Sequence, residues 1–478
     1  MNRATAAIVQ AWTRVGPRFL PFADAATPEL PLARLLRLSL FQLSVGMAAV
    51  LLIGTLNRVM IVELGVDAWL VAFMVSLPLL FAPLRALIGF RSDTHRSVLG
   101  WRRVPYVWFG SMAQFGGLAI MPFALILLSG DSNGPAWVGH VAAVLAFLLV
   151  GAGMHMVQTV GLALAADLAP PSALPRVVAL LSVMLLLGML VAGLVFGLLL
   201  SPFSQLRLIQ VIQGSAVATM VLNLVAMWKQ EARNPARTRG LGDGPGFRAS
   251  WRLLRLSGPW GRRFAVAGLG TAGFTMQDVL LEPYGGQVLG LGVGATTTLT
   301  ALLAAGGILG FVLAARLMGR GADAHRVAGG GALVGAFAFL AVLFAAPLNS
   351  AWLFGTGATL IGFGGGLFAH ATLTACMEAA PTGQIGLALG AWGAVQASAA
   401  GAAIFAGGLL RDGIGGLASA GLLGEAFAST ATGYAVVYGI EIVLLFATLA
   451  AIGPLVRIRG DRARLPSTLG LAGAPRAS

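Results

Sequence analysis

Charged residues are scarce in this sequence. They make up 10% of its 478 residues, whereas 58% are hydrophobic, and a soluble globular protein carries about 25% charged residues. A water-exposed surface of this size needs more ionic groups than the chain holds, so the composition excludes an ordinary soluble protein. Glycine is abundant, with 66 residues, and small residues let transmembrane helices pack closely. The composition predicts a membrane protein.

The sequence also lacks the residues of familiar catalytic and metal sites. Its one cysteine, Cys376, excludes a disulfide framework and a zinc or iron–sulfur site. It has no phosphate-binding loop, no H-E-x-x-H and no G-x-S-x-G motif. We therefore expect neither an enzyme nor a metal held directly by protein ligands. The net charge of +14 lies in short segments between apolar runs, which fits topology determinants better than a nucleic-acid surface.

Apolar runs long enough to cross a bilayer, about 20 residues each, occur twelve times. The predicted spans 1 to 6 are 38–58, 68–90, 104–128, 136–163, 174–200 and 206–228, and spans 7 to 12 are 263–284, 293–318, 327–346, 351–377, 384–410 and 431–456. If the N-terminus lies on the cytoplasmic side, 27 of the 31 basic residues lie on the same side of the membrane. Cytoplasmic loops carry such an excess, so we expect both termini in the cytoplasm.

The spans divide the chain into five segments. These are a cytoplasmic N-terminal tail (1–37), an N-terminal six-helix half (38–228), a basic cytoplasmic linker (229–262), a C-terminal six-helix half (263–456) and a cytoplasmic C-terminal tail (457–478). Two interpretations of the linker stay open. It is either a solvated connection that fixes the topology or a segment that binds anionic lipid headgroups.

An internal repeat relates the two halves. The pattern G-x-x-x-D-x-H-R follows span 2 at 89–96 and span 8 at 319–326, and a G-x-G pair lies in span 4 (151–153) and in span 10 (362–364). Two six-helix halves related in this way are the major facilitator architecture. The fold prediction is therefore an all-α polytopic membrane protein with the major facilitator fold, its twelve transmembrane helices arranged in two pseudo-symmetric halves.

The repeated loop motif resembles the superfamily's signature between helices 2 and 3. Its carboxylates can accept hydrogen bonds from helix N-terminal amides and pair with arginines, which predicts a cytoplasmic latch between the halves; ordinary loop charges are the alternative. The candidate latch residues are Gly89, Asp93, Arg96, Arg102 and Arg103 in the first half, and Gly319, Asp323 and Arg326 in the second.

Ionisable residues within spans are few, and such residues are usually functional. Arg85 lies in span 2, Glu441 in span 12, and Asp278 and Glu282 near the outer end of span 7. At a spacing of four, Asp278 and Glu282 share a helix face if the helix is continuous, and Pro283 and Gly285 are expected to break the helix after them. Three interpretations stay open: a proton-coupling pair, an acceptor for polar groups on a pigment's rim, or a helix end exposed to water.

Histidines inside the spans are candidate pigment ligands. A neutral imidazole can bind a metal such as the magnesium of a chlorin. His155 has Gln158 one turn later and flanking glycines that we expect to leave room for a flat ring; a hydrogen bond to a neighbouring helix is the alternative. His370 is its rough counterpart in span 10, and His140 lies at the outer start of span 4.

Four longer motifs stand out in the sequence: GTLNRVMIVE at 54–63, FAPLRALIGFRSDTHR at 81–96, GWRRVPY at 100–106 and QDVLLEPYG at 277–285. Together they resemble those of a specific family, the PucC and LhaA type of bacteriochlorophyll delivery protein within the major facilitator superfamily. The resemblance implies a light-harvesting assembly factor of the bacterial intracytoplasmic membrane, which hands bacteriochlorophyll to antenna polypeptides. It favours the core antenna slightly. Carotenoid or lipid are further candidate ligands, and pigment-synthesis enzymes, the reaction centre and membrane lipids further candidate partners.

Two other hypotheses stay open. One is a proton-coupled transporter of an amphiphilic small molecule, in which Asp278, Glu282 and Arg85 are the coupling groups. The other is a scaffold that binds antenna helices on its lipid-facing surface. The scarcity of buried charge favours an apolar cargo or partner over a charged solute.

Overall fold

The computed structural model describes residues 27, 30–80, 88, 92, 101–129, 135–170, 174–231, 247–380 and 385–456. All regular structure in these ranges is helical. We number the helices by the predicted spans, and we call the side of the molecule on which span 1 begins the near side and the opposite side the far side.

Ten helices are long and apolar enough to cross a membrane, and each fills one predicted span. They are Leu32–Glu63, Val104–Leu128, Ala136–Leu168, Leu174–Leu199, Gln205–Met227, Val293–Gly319, Ala324–Ala345, Ala351–Ala379, Ile385–Ser419 and Ala431–Ile452 (spans 1, 3, 4, 5, 6, 8, 9, 10, 11 and 12). Span 1 begins six residues earlier than predicted, and span 11 continues through the Gly-rich stretch to Ser419.

The other two spans are present in a different form. Span 2 is described over Ala68–Leu80, and span 7 consists of two short helices, Trp260–Thr275 and Leu281–Gln287, joined by a turn. The prediction of twelve spans in an all-helical fold is therefore confirmed, and span 7 differs from it by an interruption.

The two halves pack on each other through two pairs of helices, span 2 with span 11 and span 5 with span 8. Small residues make both contacts close. Gly408 of span 11 lies against Ala72 of span 2, and Gly193 of span 5 lies against Ala301 of span 8. Both contacts are nearer the far side than the near side.

The repeated glycine pairs have the same packing role in each half. Gly153 of span 4 lies against the backbone of span 3 at Gly110, and Gly364 of span 10 lies against the backbone of span 9 at Gly331. A side chain at either position would collide with backbone atoms. The repeated glycines therefore serve close helix packing in both halves.

The basic linker contains a helix that the sequence analysis did not predict. Phe247–Leu256 is amphipathic: Leu254 is buried against the near-side ends of spans 7 and 11, while Arg252 and Arg255 are exposed. Trp251 of this helix stacks on Phe264 of span 7. This helix of the linker is thus docked on the C-terminal half. The segment boundaries themselves stay a prediction.

Candidate functional site

The interruption of span 7 is the most unusual feature of the described helices. The first helix of span 7 ends at Thr275, and the second begins at Leu281. Pro283 explains the position of the break, because its ring clashes with the carbonyl four residues earlier and prevents a continuous helix through Val279. Proline is tolerated within the first turn of a helix, where Pro283 lies. The expectation that the helix breaks after Glu282 is therefore wrong: it breaks one turn before.

Glu441 of span 12 compensates for the break. Its Oε1 accepts a hydrogen bond of 2.7 Å from the backbone N–H of Gln277, at the start of the turn. The side chain of Glu441 is fully buried, and its Oε2 has no hydrogen-bond partner among the described residues. The structural role of Glu441 is to cap a backbone group that the helix no longer satisfies.

Asp278 lies within the turn and contacts both halves of the molecule. Its Oδ1 accepts a hydrogen bond of 2.6 Å from the Gln277 side chain. Its carbonyl accepts a bond of 3.4 Å from Asn57 of span 1.

Glu282 has a different set of neighbours. It is buried, accepts a hydrogen bond from Thr300 of span 8, and lies directly over Gly54 of span 1, which has no side chain to exclude it. Its Oε2 has no partner among the described residues. Because the turn separates Asp278 from Glu282, the expectation that the two share one helix face is wrong.

Span 1 is locally distorted where it meets these groups. Val50–Thr55 and Val59–Glu63 are π-helical, a geometry that is rare and frequently marks functional sites. Between them, Arg58 pairs with Glu63 and donates a hydrogen bond of 3.2 Å to the carbonyl of Leu291 in the other half. The distortion thus coincides with the contacts between halves.

Two further bonds join the halves on the far side. The backbone N–H of Trp69, at the start of span 2, donates to Asp412 of span 11 over 2.7 Å. The hydroxyls of Thr55 and Thr297 lie 3.5 Å apart. Together with Asn57 and Arg58, these residues form what we call the far-side seal.

A second polar cluster lies in the C-terminal half beside the far-side seal. Arg411 pairs with Asp412 at 2.5 Å, donates to Gln287 at 2.5 Å and covers the ring of Tyr434. Tyr434 donates to the same Gln287 oxygen over 2.7 Å. This cluster could not be foreseen from the sequence, because Gln287 and Tyr434 are distant in sequence and neither belongs to a motif.

The candidate histidines lie along spans 4 and 10. His155 is buried within span 4, Gln158 is partly buried one turn later, and His140 is partly buried in the first turn of the same helix. His370 of span 10 is also partly buried, and its ring centroid lies 4.0 Å from that of Phe311 in span 8. The Nδ1 atom of His370 has no hydrogen-bond partner among the described residues.

The glycines beside His155 do not provide space for a ring. Gly151 lies against Pro78 of span 2, and Gly153 lies against span 3 at Gln114. Both positions are filled by neighbouring helices. The expectation that these glycines leave room for a flat pigment is therefore wrong, although the assignment of His155 as a ligand stays a prediction.

The near-side latch residues that the structure describes act within each half. Arg102 and Arg103, before span 3, pair with Asp167 at the end of span 4 over 2.5 and 3.0 Å. The backbone N–H groups of residues 102–104 donate to Glu231, just after span 6. An acidic side chain at a helix N-terminus is stabilising. Among the described residues, Arg102 and Arg103 thus join spans 3, 4 and 6 within one half, and the latch between the halves stays a prediction.

In the second half, Asp323 accepts a hydrogen bond of 3.0 Å from the N–H of Arg326 and so caps span 9. The side chain of Arg326 is exposed, and Gly319 ends span 8. Four other predicted site residues lie outside the described residues: Arg85, Gly89, Asp93 and Arg96.

Twelve helices in two halves, packed through spans 2 and 11 and spans 5 and 8, define a multi-pass membrane protein with the major facilitator fold. Solved structures agree. A bacterial homologue of the human lysosomal transporter Spinster, in an inward-facing conformation, matches with a TM-score of 0.63 at 16% identity, covering 88% of this chain and 95% of that one. A bacterial homologue of the iron transporter ferroportin matches with a TM-score of 0.62 at 16% identity, covering 88% and 98%.

The chain belongs to the PucC family, whose model, described as PUCC protein, matches residues 55–460. Protein PucC of Rhodovulum sulfidophilum is 59% identical over 421 residues, covering 87% of this chain and 92% of the relative. An uncharacterized protein in the puhA-bchM intergenic region of Rhodobacter capsulatus is 58% identical over 442 residues, 92% of each. The bacteriochlorophyll synthase 44.5 kDa chain of Rhodobacter capsulatus is 29% identical over 453 residues, covering 91% and 98%. These relationships fit a role in photosynthesis.

Proposed function

We propose that this chain is a non-enzymatic assembly factor for the bacterial light-harvesting antenna, which binds bacteriochlorophyll and delivers it to antenna polypeptides. Membership of the PucC family and the relative named for bacteriochlorophyll synthesis support a connection with this pigment. The proposal places the protein in the intracytoplasmic membrane with both termini in the cytoplasm.

His370 is the observation that carries the proposal. A buried imidazole nitrogen normally makes a hydrogen bond, and leaving it without one costs about 1–3 kcal/mol. The Nδ1 of His370 makes no such bond to the described residues, so it does not serve to hold a neighbouring helix. The ring instead lies beside the buried ring of Phe311, in an apolar environment. An imidazole in this position is suited to bind the magnesium of a chlorin.

The distribution of charge supports an apolar cargo. The buried carboxyls Glu282 and Glu441 and the buried guanidinium of Arg58 lie towards the far side. The near-side halves of spans 4 and 10, where His155 and His370 lie, carry no ionised side chain between His155 and Asp167 or between His370 and Glu378. A pigment with an apolar tail is therefore favoured over a charged solute as the ligand of this region.

The proposed partners are antenna polypeptides, with the core antenna slightly favoured, and membrane lipids. Pigment-synthesis enzymes and the reaction centre are further candidate partners, and carotenoid or lipid are further candidate ligands. The proposed pigment-binding residues remain His155, Gln158, His370, His140, Asp278 and Glu282.

The test uses a photosynthetic bacterium whose own members of the family are deleted. The wild-type chain is expected to restore antenna absorption and to co-purify with antenna polypeptides in mild detergent. The variant His370→Leu is expected to lower both several-fold at unchanged expression, whereas His325→Leu, at the near-side start of span 9, serves as the matched control and leaves both unchanged. Full antenna assembly by His370→Leu removes His370 from the proposal. No restoration by the wild-type chain contradicts the proposed function.

A proton-coupled transporter of an amphiphilic molecule is the second candidate, and one observation favours it. Glu282 and Glu441, the buried carboxyls beside the interrupted span 7, each have one oxygen without a partner among the described residues. Reconstituted vesicles separate the two functions: proton-driven uptake that Glu282→Gln abolishes, by a protein that carries no pigment, supports the transporter.

A further inference from the structure

A groove of about 570 Å³ opens on the lipid-facing surface between spans 5 and 6. Leu198 and Leu199 of span 5 form one wall, Val211 and Ala218 of span 6 form the other, and Met47 of span 1 lies at its base. Spans 5 and 6 touch each other little along their length, so the groove separates them over the far-side half of the molecule.

Gly214, on the span 6 wall, shows that the groove is not used for packing within the chain. A Cβ added to Gly214 would meet no atom within 4 Å. By contrast, Gly188 of span 5 lies against the backbone of Leu43 in span 1. Small residues in transmembrane helices usually allow another group to approach closely. The groove at Gly214 therefore has space for a group from outside the chain.

The dimensions of the groove decide between possible occupants. From Arg207 at its mouth to Ala218 at its inner end the groove follows eleven residues of span 6, or about 16 Å. This length is about half the 30 Å hydrocarbon core of a bilayer, hence one leaflet. The empty volume of the groove, about 1050 Å³, leaves a width of about 8 Å over that length. A helix is about 10–12 Å across with its side chains and does not fit, whereas an alkyl chain does.

Arg207 gives the mouth of the groove a positive charge. Its side chain is exposed and donates one hydrogen bond of 3.2 Å, to the neutral carbonyl of Pro202. Two other arginines towards the far side have carboxylate partners: Arg58 pairs with Glu63 and Arg411 with Asp412. Arg207 forms no ion pair with a carboxylate among the described residues. Its guanidinium is thus available to bind a phosphate in a bidentate manner.

We propose that this groove is a binding site for one anionic phospholipid of the far-side leaflet, with an acyl chain along Leu198, Gly214 and Ala218 and its phosphate against Arg207. The site is separate from His370 and from the far-side seal. It does not depend on the proposed function of pigment delivery.

The experiment measures lipid retention by native mass spectrometry after the purified chain is exchanged into nanodiscs and extracted again. The nanodiscs contain equal amounts of dioleoyl phosphatidylglycerol and dioleoyl phosphatidylcholine. The wild-type chain is expected to retain one phosphatidylglycerol with a preference of about fivefold, the factor that one basic residue contributes at an anionic surface. Arg207→Gln is expected to remove the preference while the chain still retains lipid.

Filling the groove provides the second arm. Gly214→Leu is expected to abolish retention of the bound lipid, because the new side chain occupies the space of the acyl chain. Gly439→Leu is the matched control, since an added Cβ there also meets open space, on span 12, and it is expected to retain the lipid. Arg207→Gln changes only an exposed side chain, so the charge arm decides the matter even if Gly214→Leu does not fold.

Three results overturn the proposal. One is equal retention of the two phospholipids by the wild-type chain. Another is unchanged phosphatidylglycerol retention in Gly214→Leu. The third is bacteriochlorophyll or a polypeptide, in place of a phospholipid, as the species that Gly214→Leu displaces from chain purified out of photosynthetic membranes.

Discussion

Replacing Glu441 tests how the protein tolerates an interrupted span. Glu441 is fully buried, and its Oε1 is the acceptor for the Gln277 N–H at the break. In Glu441→Leu this N–H loses its partner in an apolar interior, which costs about 1–3 kcal/mol. In Glu441→Gln a side-chain carbonyl of the same length can still accept the bond.

The comparison of the two variants isolates the capping bond. Both remove the carboxyl, but Glu441→Gln keeps a polar NH2 group where Oε2 has no partner among the described residues, so the measured difference is a lower bound on the contribution of the capping bond. We expect Glu441→Leu to be less stable than Glu441→Gln by about 1–3 kcal/mol, which is a factor of roughly 5 to 150 in the unfolding equilibrium.

Equilibrium unfolding in mixed micelles of a mild detergent and sodium dodecyl sulfate measures this difference through tryptophan fluorescence. Glu425→Leu and Glu425→Gln form the control pair, because Glu425 is exposed on the far side, and they are expected to differ by less than about 0.5 kcal/mol. If Glu441→Leu and Glu441→Gln are equally stable, Glu441 does not cap the broken helix and our explanation of span 7 is refuted.

Three further predictions concern packing, the near side and the far-side seal. Gly153→Leu and Gly364→Leu are each expected to destabilise the chain by about 1–3 kcal/mol, because both positions touch backbone; an effect in only one half would contradict their equivalence. Arg103→Ala, which removes one of the two arginines paired with Asp167, is expected to lower the unfolding free energy by about 1–3 kcal/mol, against less than about 0.5 for the exposed Arg326→Ala. The double variant Asn57→Ala with Arg58→Gln removes two bonds of the far-side seal. With a cysteine introduced as Thr297→Cys, this double variant is expected to raise maleimide labelling from the far side about tenfold. Unchanged labelling would show that these bonds do not close the far side.

The spans could be predicted from the sequence because each depends on a local property. An apolar run of sufficient length must cross the membrane, and the arginine asymmetry sets the count and the direction of the runs. The glycine pairs of spans 4 and 10 were recognisable for a similar reason. The repeat put Gly153 and Gly364 at matching positions, and the structure gives them matching contacts.

The site was only partly predictable, because its partners come from distant parts of the chain. Asp278, Glu282 and Glu441 were recognisable as costly groups inside spans, but the sequence does not reveal that Glu441 caps Gln277. The same limit applies to Glu231, which caps span 3 from the end of span 6. Pro283 marks the position of the break, because its ring clashes with the turn that precedes it. The sequence-based expectation placed the break after Glu282 instead of before it.

The pigment content of the purified chain tests the central claim most directly. Wild-type protein, extracted from a photosynthetic membrane in mild detergent and freed of antenna polypeptides, is expected to show the absorption of bacteriochlorophyll at close to one pigment or more per chain. His370→Leu is expected to lose most of this absorption, and His325→Leu is expected to keep it. A wild-type preparation without bacteriochlorophyll would contradict the account, and proton-driven uptake by that same preparation would establish the transporter in its place.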